Sequence, residues 1–388
     1  MSRIIKDNTG KYIKAALIIV ALILFACGGE QMNGSLESVE LTVPDTLILN
    51  VTDTIGVLQG DSTQVFGDLS DVSYCITGDI IVLDRMTGFI SVFSPEGEYL
   101  SRLGGLGEAP WEFSWPTSFA PMYNGWLVVA DYAGRRLVVF DDTLGFLREV
   151  TGFPTVCPAR LQPFPDATFA GRATEIWQED DGSMHGENSI RRWSVDSTGS
   201  IAAYMSSPMF ITLLDDGLDV EPAALVTTTS PDGSIYCAVS SDSLYQIFGY
   251  TIEGELFLEL SEPWERVAKT PEEIAAEEMP TAIETDAEGH RRAVRIEVEV
   301  DPFHSAVTGL STDDQGRLWV RIGSEAVPSF RVYDNTGALL FVAQCPCFVT
   351  TGRQVRFQMR HGGIIAWDRS PEDYPKIYLI EPVPGGNE

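Results

Sequence analysis

The chain has 388 residues, of which 44% are hydrophobic and 10% aromatic. That is enough apolar material to pack one large all-β domain or two or three smaller ones. The formal net charge is −30, a field that repels nucleic acid and anionic lipid headgroups and so argues against a nucleic-acid partner.

In chain order, Lys11 and Lys14 precede an apolar run at residues 15–26, which ends at Cys27. The run is too short to cross a bilayer, which needs about 20 residues, and the basic start fits a secretory signal. Leu24-Phe25-Ala26-Cys27 resembles a bacterial lipoprotein signal. The resemblance implies a signal peptide over 1–26 and a lipid anchor on Cys27. It places the chain in the bacterial cell envelope, at the outer membrane of a double-membraned cell, on its periplasmic or external face. An ordinary signal peptide or an uncleaved anchor is the alternative. Residues 27–45, small and polar at their start, read as a tether.

The organising unit is first seen at residues 78–104, GDIIVLDRMTGFISVFSPEGEYLSRLG. An apolar run ends at Asp84-Arg85, a second run spans 89–93, and Ser94-Pro95-Glu96-Gly97 makes a turn, with glycine supplying the positive φ. The pattern predicts three antiparallel strands joined by tight turns. It returns at 125–152, GWLVVADYAGRRLVVFDDTLGFLREVTG. The pairs Gly78 and Phe93, Gly125 and Phe140, and Gly233 and Phe248 are each 15 residues apart. Looser copies lie at 316–342 and 363–381, and a degenerate one at 167–205. Six units at a period of roughly 40–50 residues, each with several strands, predict an all-β, six-bladed β-propeller over residues 46–388. The last unit lacks an outer strand. Residues 53–58 are expected to supply it, so that both chain ends share one blade and no sheet edge is left open.

The segment 104–116, GGLGEAPWEFSWP, joins the first two units. No Lys-Ser/Thr helix start follows it, so it is not a P-loop; its Trp and Phe are expected to pack the seam between blades. Residues 180–186 have the Asp and Gly of a calcium loop without its terminal Glu, and read better as a hairpin turn. Residues 261–303 form a charged insertion in which Thr270-Pro271-Glu272-Glu273 predicts a capped helix start. If Cys27 is acylated, five cysteines remain, an odd number outside the cytosol. Cys345-Pro346-Cys347 lacks the spacer of common zinc and redox motifs, and a bridge within it would be strained. Thiols buried as small apolar groups are the simpler reading.

Strand parity places the short glycine turns at Gly78, Gly97, Gly125 and Gly337 on one face. The longer, chemically varied connections fall on the other. Loops held by rigid strands carry function, so a ligand is expected at the channel mouth on that second face. The candidates there are Asp84, Arg85, Trp111, Trp115, Asp131, Tyr132, Arg135, Arg321, Asp368 and Arg369. A ring of Asp and Arg suits a polar ligand or a cation. The competing reading is that each Asp satisfies backbone N–H groups in its own turn. Catalysis has little support: the four histidines form no short-spaced metal pair, and no G-x-S-x-G motif occurs. His304, just before the fifth unit, could reach the mouth but reads as structural.

The units at 78–105, the loop Gly107-Glu108-Ala109-Pro110-Trp111-Glu112-Phe113 and the stretch Asp314-Gln315-Gly316-Arg317-Leu318-Trp319-Val320 resemble the six-bladed propellers of the NHL/TolB-like group, especially bacterial lipoproteins. The resemblance implies a fold and leaves the activity open. The expected role is that of a membrane-tethered, monomeric binding or scaffold propeller without a cofactor, engaging a protein, peptide or glycan of the envelope. The alternative is a sugar-lactonase-type hydrolase using a divalent cation such as calcium, with Asp84, Asp131 and Asp368 among the ligands.

Overall fold

The computed structural model describes residues 46–179, 183–214, 217–222, 225–277, 281–285, 291–295, 300–348, 355–368 and 374–384. The predicted signal peptide, Cys27, the tether and Arg369 lie outside the described residues.

Strand β1 (Thr46–Ile55) comes first in the chain and last in the ring. Blade 1 holds β2 (Leu69–Tyr74), β3 (Ile80–Asp84), β4 (Phe89–Phe93) and β5 (Tyr99–Gly104). Blade 2 holds β6 (Pro116–Pro121), β7 (Leu127–Asp131), β8 (Arg136–Phe140) and β9 (Phe146–Thr151). Blade 3 has a fifth strand: β10 (Ala159–Pro163), β11 (Thr168–Gln178), β12 (Met184–Ser194), β13 (Ala202–Leu214) and β14 (Gly217–Pro222). Blade 4 holds β15 (Leu225–Thr229), β16 (Ile235–Val239), β17 (Leu244–Tyr250) and β18 (Leu256–Pro263). The insertion contributes helix α1 (Pro271–Glu277) and the hairpin β19 (Thr281–Thr285) and β20 (Arg291–Arg295). Blade 5 holds β21 (Val307–Thr312), β22 (Leu318–Ile322), β23 (Ser329–Tyr333) and β24 (Leu339–Gln344). Blade 6 holds β25 (Arg356–Arg360), β26 (Gly363–Asp368) and β27 (Lys376–Pro384).

The ring closes as expected, with the strand placed earlier than 53–58. β1 runs antiparallel to β27, from Leu47 opposite Pro384 to Ile55 opposite Ile377. It also runs parallel to β24 over Thr46–Ile48 and so joins blades 5 and 6 into one sheet. A bulge between Val51 and Asp53 inserts Thr52 and inverts the side-chain alternation. As a result Leu49 packs into the seam between blades 5 and 6, while Ile55 packs into the seam between blades 6 and 1.

The core lies in the seams. Its six apolar clusters each fall between one pair of neighbouring blades. A middle strand therefore buries both faces: every residue of β3 and of β7 is buried, as their unbroken apolar runs require. The Trp/Phe loop serves one seam through Phe113, which is fully buried edge-on against Phe140. Gly104, at φ +79°, permits that contact, since a Cβ there would lie 2.4 Å from the Phe113 ring.

The innermost strands are tied across the seams by side chains rather than by a ladder. Asp71 accepts the Phe119 N–H at 3.1 Å, and Ser118 Oγ accepts the Leu161 N–H at 3.4 Å. Thr229 Oγ1 donates to Pro163 O at 2.7 Å, and Thr312 Oγ1 donates to Thr229 O at 2.6 Å. Ser311 Oγ accepts the Met359 N–H at 3.4 Å, and Arg356 donates to Ser70 O at 3.3 Å. These six contacts bridge the six seams in turn, which accounts for the Ser, Thr and Asp of the inner strands: buried polar groups must find partners.

The glycine turns form as predicted, with Gly78, Gly97, Gly125 and Gly337 at φ of 85–88°. The capping box also forms: Glu273 N–H donates to Thr270 Oγ1 at 3.3 Å, and Thr270 N–H donates to Glu273 Oε2 at 2.8 Å. β11 and β12 pair antiparallel out to Gln178 and Met184; of the 180–186 segment, residues 180–182 lie outside the described residues.

Candidate functional site

The inner strands surround a cavity of about 470 Å³ on the face bearing the longer loops, a volume in the range of small-molecule sites. Its wall comes from the first residues of the inner strands and from the loops above them. Ser70 and Asp71, Thr117 and Ser118, and Thr308 and Gly309 line it as adjacent pairs. Register shifts occur at the starts of β2, β6 and β21 and in β10, where Arg160 sits at φ 54°, whereas β15, which has none, lines the cavity with Leu225, Val226, Thr227 and Thr228.

Of the predicted residues, Arg85, Trp115, Tyr132 and Arg321 line the cavity. Arg85 is held by Asp68 at 2.6 Å, with its guanidinium 5.3 Å from the centroid of the Trp115 ring. Arg321 donates to Val355 O and packs over Phe357; burial lowers its pKa to about 10.

The other predicted residues lie elsewhere. Asp84 is buried and accepts the N–H groups of Gly67, Asp68 and Met86 at 2.9–3.0 Å, and burial pushes its pKa up. Asp131 is fully buried, accepts the Ser114 and Trp115 N–H groups and is paired with Arg136 at 3.1 Å. Both carboxylates hold the loop that leads into their own blade, and only the Asp84 bond to Met86 lies within the residue's own turn. Asp368 is buried at the end of β26 and is not among the cavity-lining residues. Trp111 is half exposed, away from the cavity wall, and Arg135 donates to Phe153 O and Pro154 O. His304 is buried in the insertion, 3.2 Å from Glu273 on α1. Among the described residues no three His, Cys, Asp or Glu side chains are grouped to hold a metal ion.

The cysteines divide. Cys157, Cys237 and Cys345 are buried, as small apolar groups would be, whereas Cys347 is exposed. Burial pushes the Cys157 and Cys237 thiols up to about 12, which makes both poor nucleophiles.

Three charged wall residues from the first two strands of their blades were not among those predicted. Arg160 (β10), Arg172 (β11) and Arg356 (β25) join Arg85 and Arg321, and Asp71 is the acidic residue of the described lining. Burial pushes Asp71 up to about 6 against the pull of the Phe119 N–H, Arg356 and Arg160. On the axis toward the opposite face, Arg360 is 5% exposed and donates to Gln162 at 2.8 Å. Arg360 belongs to blade 6 and Gln162 to blade 3, so this bond spans the ring.

Six ringed sheets, the last completed by the first strand of the chain, define an all-β six-bladed propeller. The profile of a family described as a 6-bladed beta-propeller (DUF5128) matches residues 57–167. No functionally curated protein matches the chain by sequence. Among solved structures, it is similar to a DUF4221 family member from Bacteroides vulgatus ATCC 8482, with a TM-score of 0.51 and 9% identity over 88% of this chain and 100% of that one. It is also similar to a Bacteroides fragilis NCTC 9343 protein described as exported (TM-score 0.44, 12% identity, 86% of this chain and 95% of that one). A third is a calcium-binding protein, regucalcin, from Agrobacterium tumefaciens (TM-score 0.41, 11% identity, 88% and 97%). At 9% identity the likeness to the DUF4221 family member extends to the fold alone.

Proposed function

We propose that the chain is a binding propeller of the bacterial cell envelope, held to a membrane through Cys27, which takes a protein segment, peptide or glycan into the cavity of its loop-rich face. The observation that carries this reading is the cavity itself: about 470 Å³, walled by six inner strands and by Arg85, Trp115, Tyr132 and Arg321. The lipoprotein-like Leu24-Phe25-Ala26-Cys27 and the resemblance to NHL/TolB-like lipoproteins support the location. Asp84 and Asp131, which the hydrolase reading offered as metal ligands, are engaged by backbone N–H groups.

The test is a glycan and peptide array probed with the wild-type chain and with Thr308→Trp, which narrows the mouth from an exposed lining position. Array signals are expected for the wild type and are expected to vanish in the variant at unchanged melting temperature. Signals that survive the substitution would place binding elsewhere; an empty array would count against a binding role.

A further inference from the structure

The chain carries a net charge of −30, yet the described cavity lining holds five arginines and one aspartate. Asp68 pairs with Arg85, and Asp71 feels the charges of Arg356 and Arg160, which leaves the lining with more cationic than anionic groups. Concentrating cations in a recess of an acidic protein costs free energy through mutual repulsion and desolvation, unless something in the recess offsets it.

Arg172 makes the imbalance local. Its Nε is buried without a hydrogen-bond partner. Burial and then the neighbouring Arg160 disfavour its charged form, opposed by Tyr132. What the lining offers a ligand is its guanidinium groups, which suit an oxyanion, beside the aromatic rings of Trp115 and Tyr132.

We infer that the cavity binds an acidic carbohydrate, a sugar carboxylate or a sugar phosphate of about disaccharide size, with its oxyanion against Arg172 and Arg160. The inference rests on the cavity being the binding site and specifies what it takes. A planar guanidinium fork matches either oxyanion in bidentate fashion. Asp71, the acidic residue among these arginines, makes the site pH-dependent. It faces Arg160 from β10 and Arg356 from β25, and its charge is also felt by Arg360. Protonation as the pH falls through about 6 removes a negative charge that competes with the ligand for the same guanidinium groups.

The experiment is calorimetric titration of the full chain with four probes: digalacturonate, its uncharged counterpart galactobiose, glucose 6-phosphate, and glucose. At least one acid is expected to bind roughly tenfold or more tightly than its neutral partner, the scale of one charge-assisted hydrogen bond. Which acid does so distinguishes carboxylate from phosphate. Arg172→Ala should weaken that acid by about tenfold or more at unchanged melting temperature, and added salt should weaken it further. Binding of digalacturonate, whose carboxylates stay ionised, should strengthen from about pH 7.5 to about pH 5.5, and Asp71→Asn should flatten that profile. Acid and neutral probes of equal affinity, or an acid indifferent to Arg172→Ala, would overturn the inference. If the Thr308→Trp-sensitive array signals persist in that case, the binding role stands and the oxyanion assignment alone fails. No binding by any probe together with an empty array would end both.

Discussion

A chain beginning at Gly56 is expected to lose cooperative folding and to aggregate, although it removes only one strand of the described structure. β1 is the outer strand of blade 6 and also contacts blade 5 through β24. Leu49 and Ile55 are both almost fully buried, in two different seams. Each such side chain contributes about 1.5–3 kcal/mol through burial alone. Removing the strand also leaves β27 as an unpaired edge, a template for association with other chains. The contact links residues more than three hundred positions apart, such as Ile55 and Ile377, so refolding of the intact chain is expected to be slow. Size-exclusion chromatography and thermal melting of the truncated chain give the answer; a monomer with an unshifted transition would contradict the closure. The milder Leu49→Ala should fold and lose about 2–5 kcal/mol.

Asp131→Ala is expected to be the most damaging single substitution among the predicted site residues. The carboxylate is fully buried and accepts the Ser114 and Trp115 N–H groups. It also holds Arg136, which in turn binds Glu149 and donates to Glu112 O at 2.6 Å. Alanine would leave a buried guanidinium without one of its counter-ions and two N–H groups without acceptors, at a cost of about 3–5 kcal/mol. For a domain of this size that corresponds to a drop of ~4–7 °C in melting temperature. Asp131→Asn keeps an acceptor and should fall between the two. A shift below about 1 °C for the alanine variant would show that the loop from Gly104 to Pro116 does not depend on this carboxylate.

The fold was legible because a propeller repeats its instructions. The fixed interval from Gly78 to Phe93 returned at Gly125 and Gly233, and each Gly turn formed with the expected sign of φ. The closing strand was foreseen but placed too late, since 53–58 covers only the end of Thr46–Ile55. The Thr52 bulge breaks the alternation that would have made the whole strand visible. The cavity was legible only at its rim. The loop residues Arg85, Trp115 and Tyr132, and Arg321 near the end of β22, follow from strand parity. Arg160 and Arg172 do not, because one sits in a bulge and the other belongs to the second strand of its blade. Arg356, Gln358 and Arg360 did carry a signal: three polar residues at alternate positions of a short strand face one side, and in an innermost strand that side is the axis. Asp84 and Asp131 looked like site residues because loop aspartates at matched positions suit ligands and turns equally well. In the structure both are buried and hold the loops that precede their blades.

The bond between Arg360 and Gln162 makes the recess a blind well rather than a tunnel. A long polymer cannot be threaded through such a site, and any chain it recognises has to arrive end first.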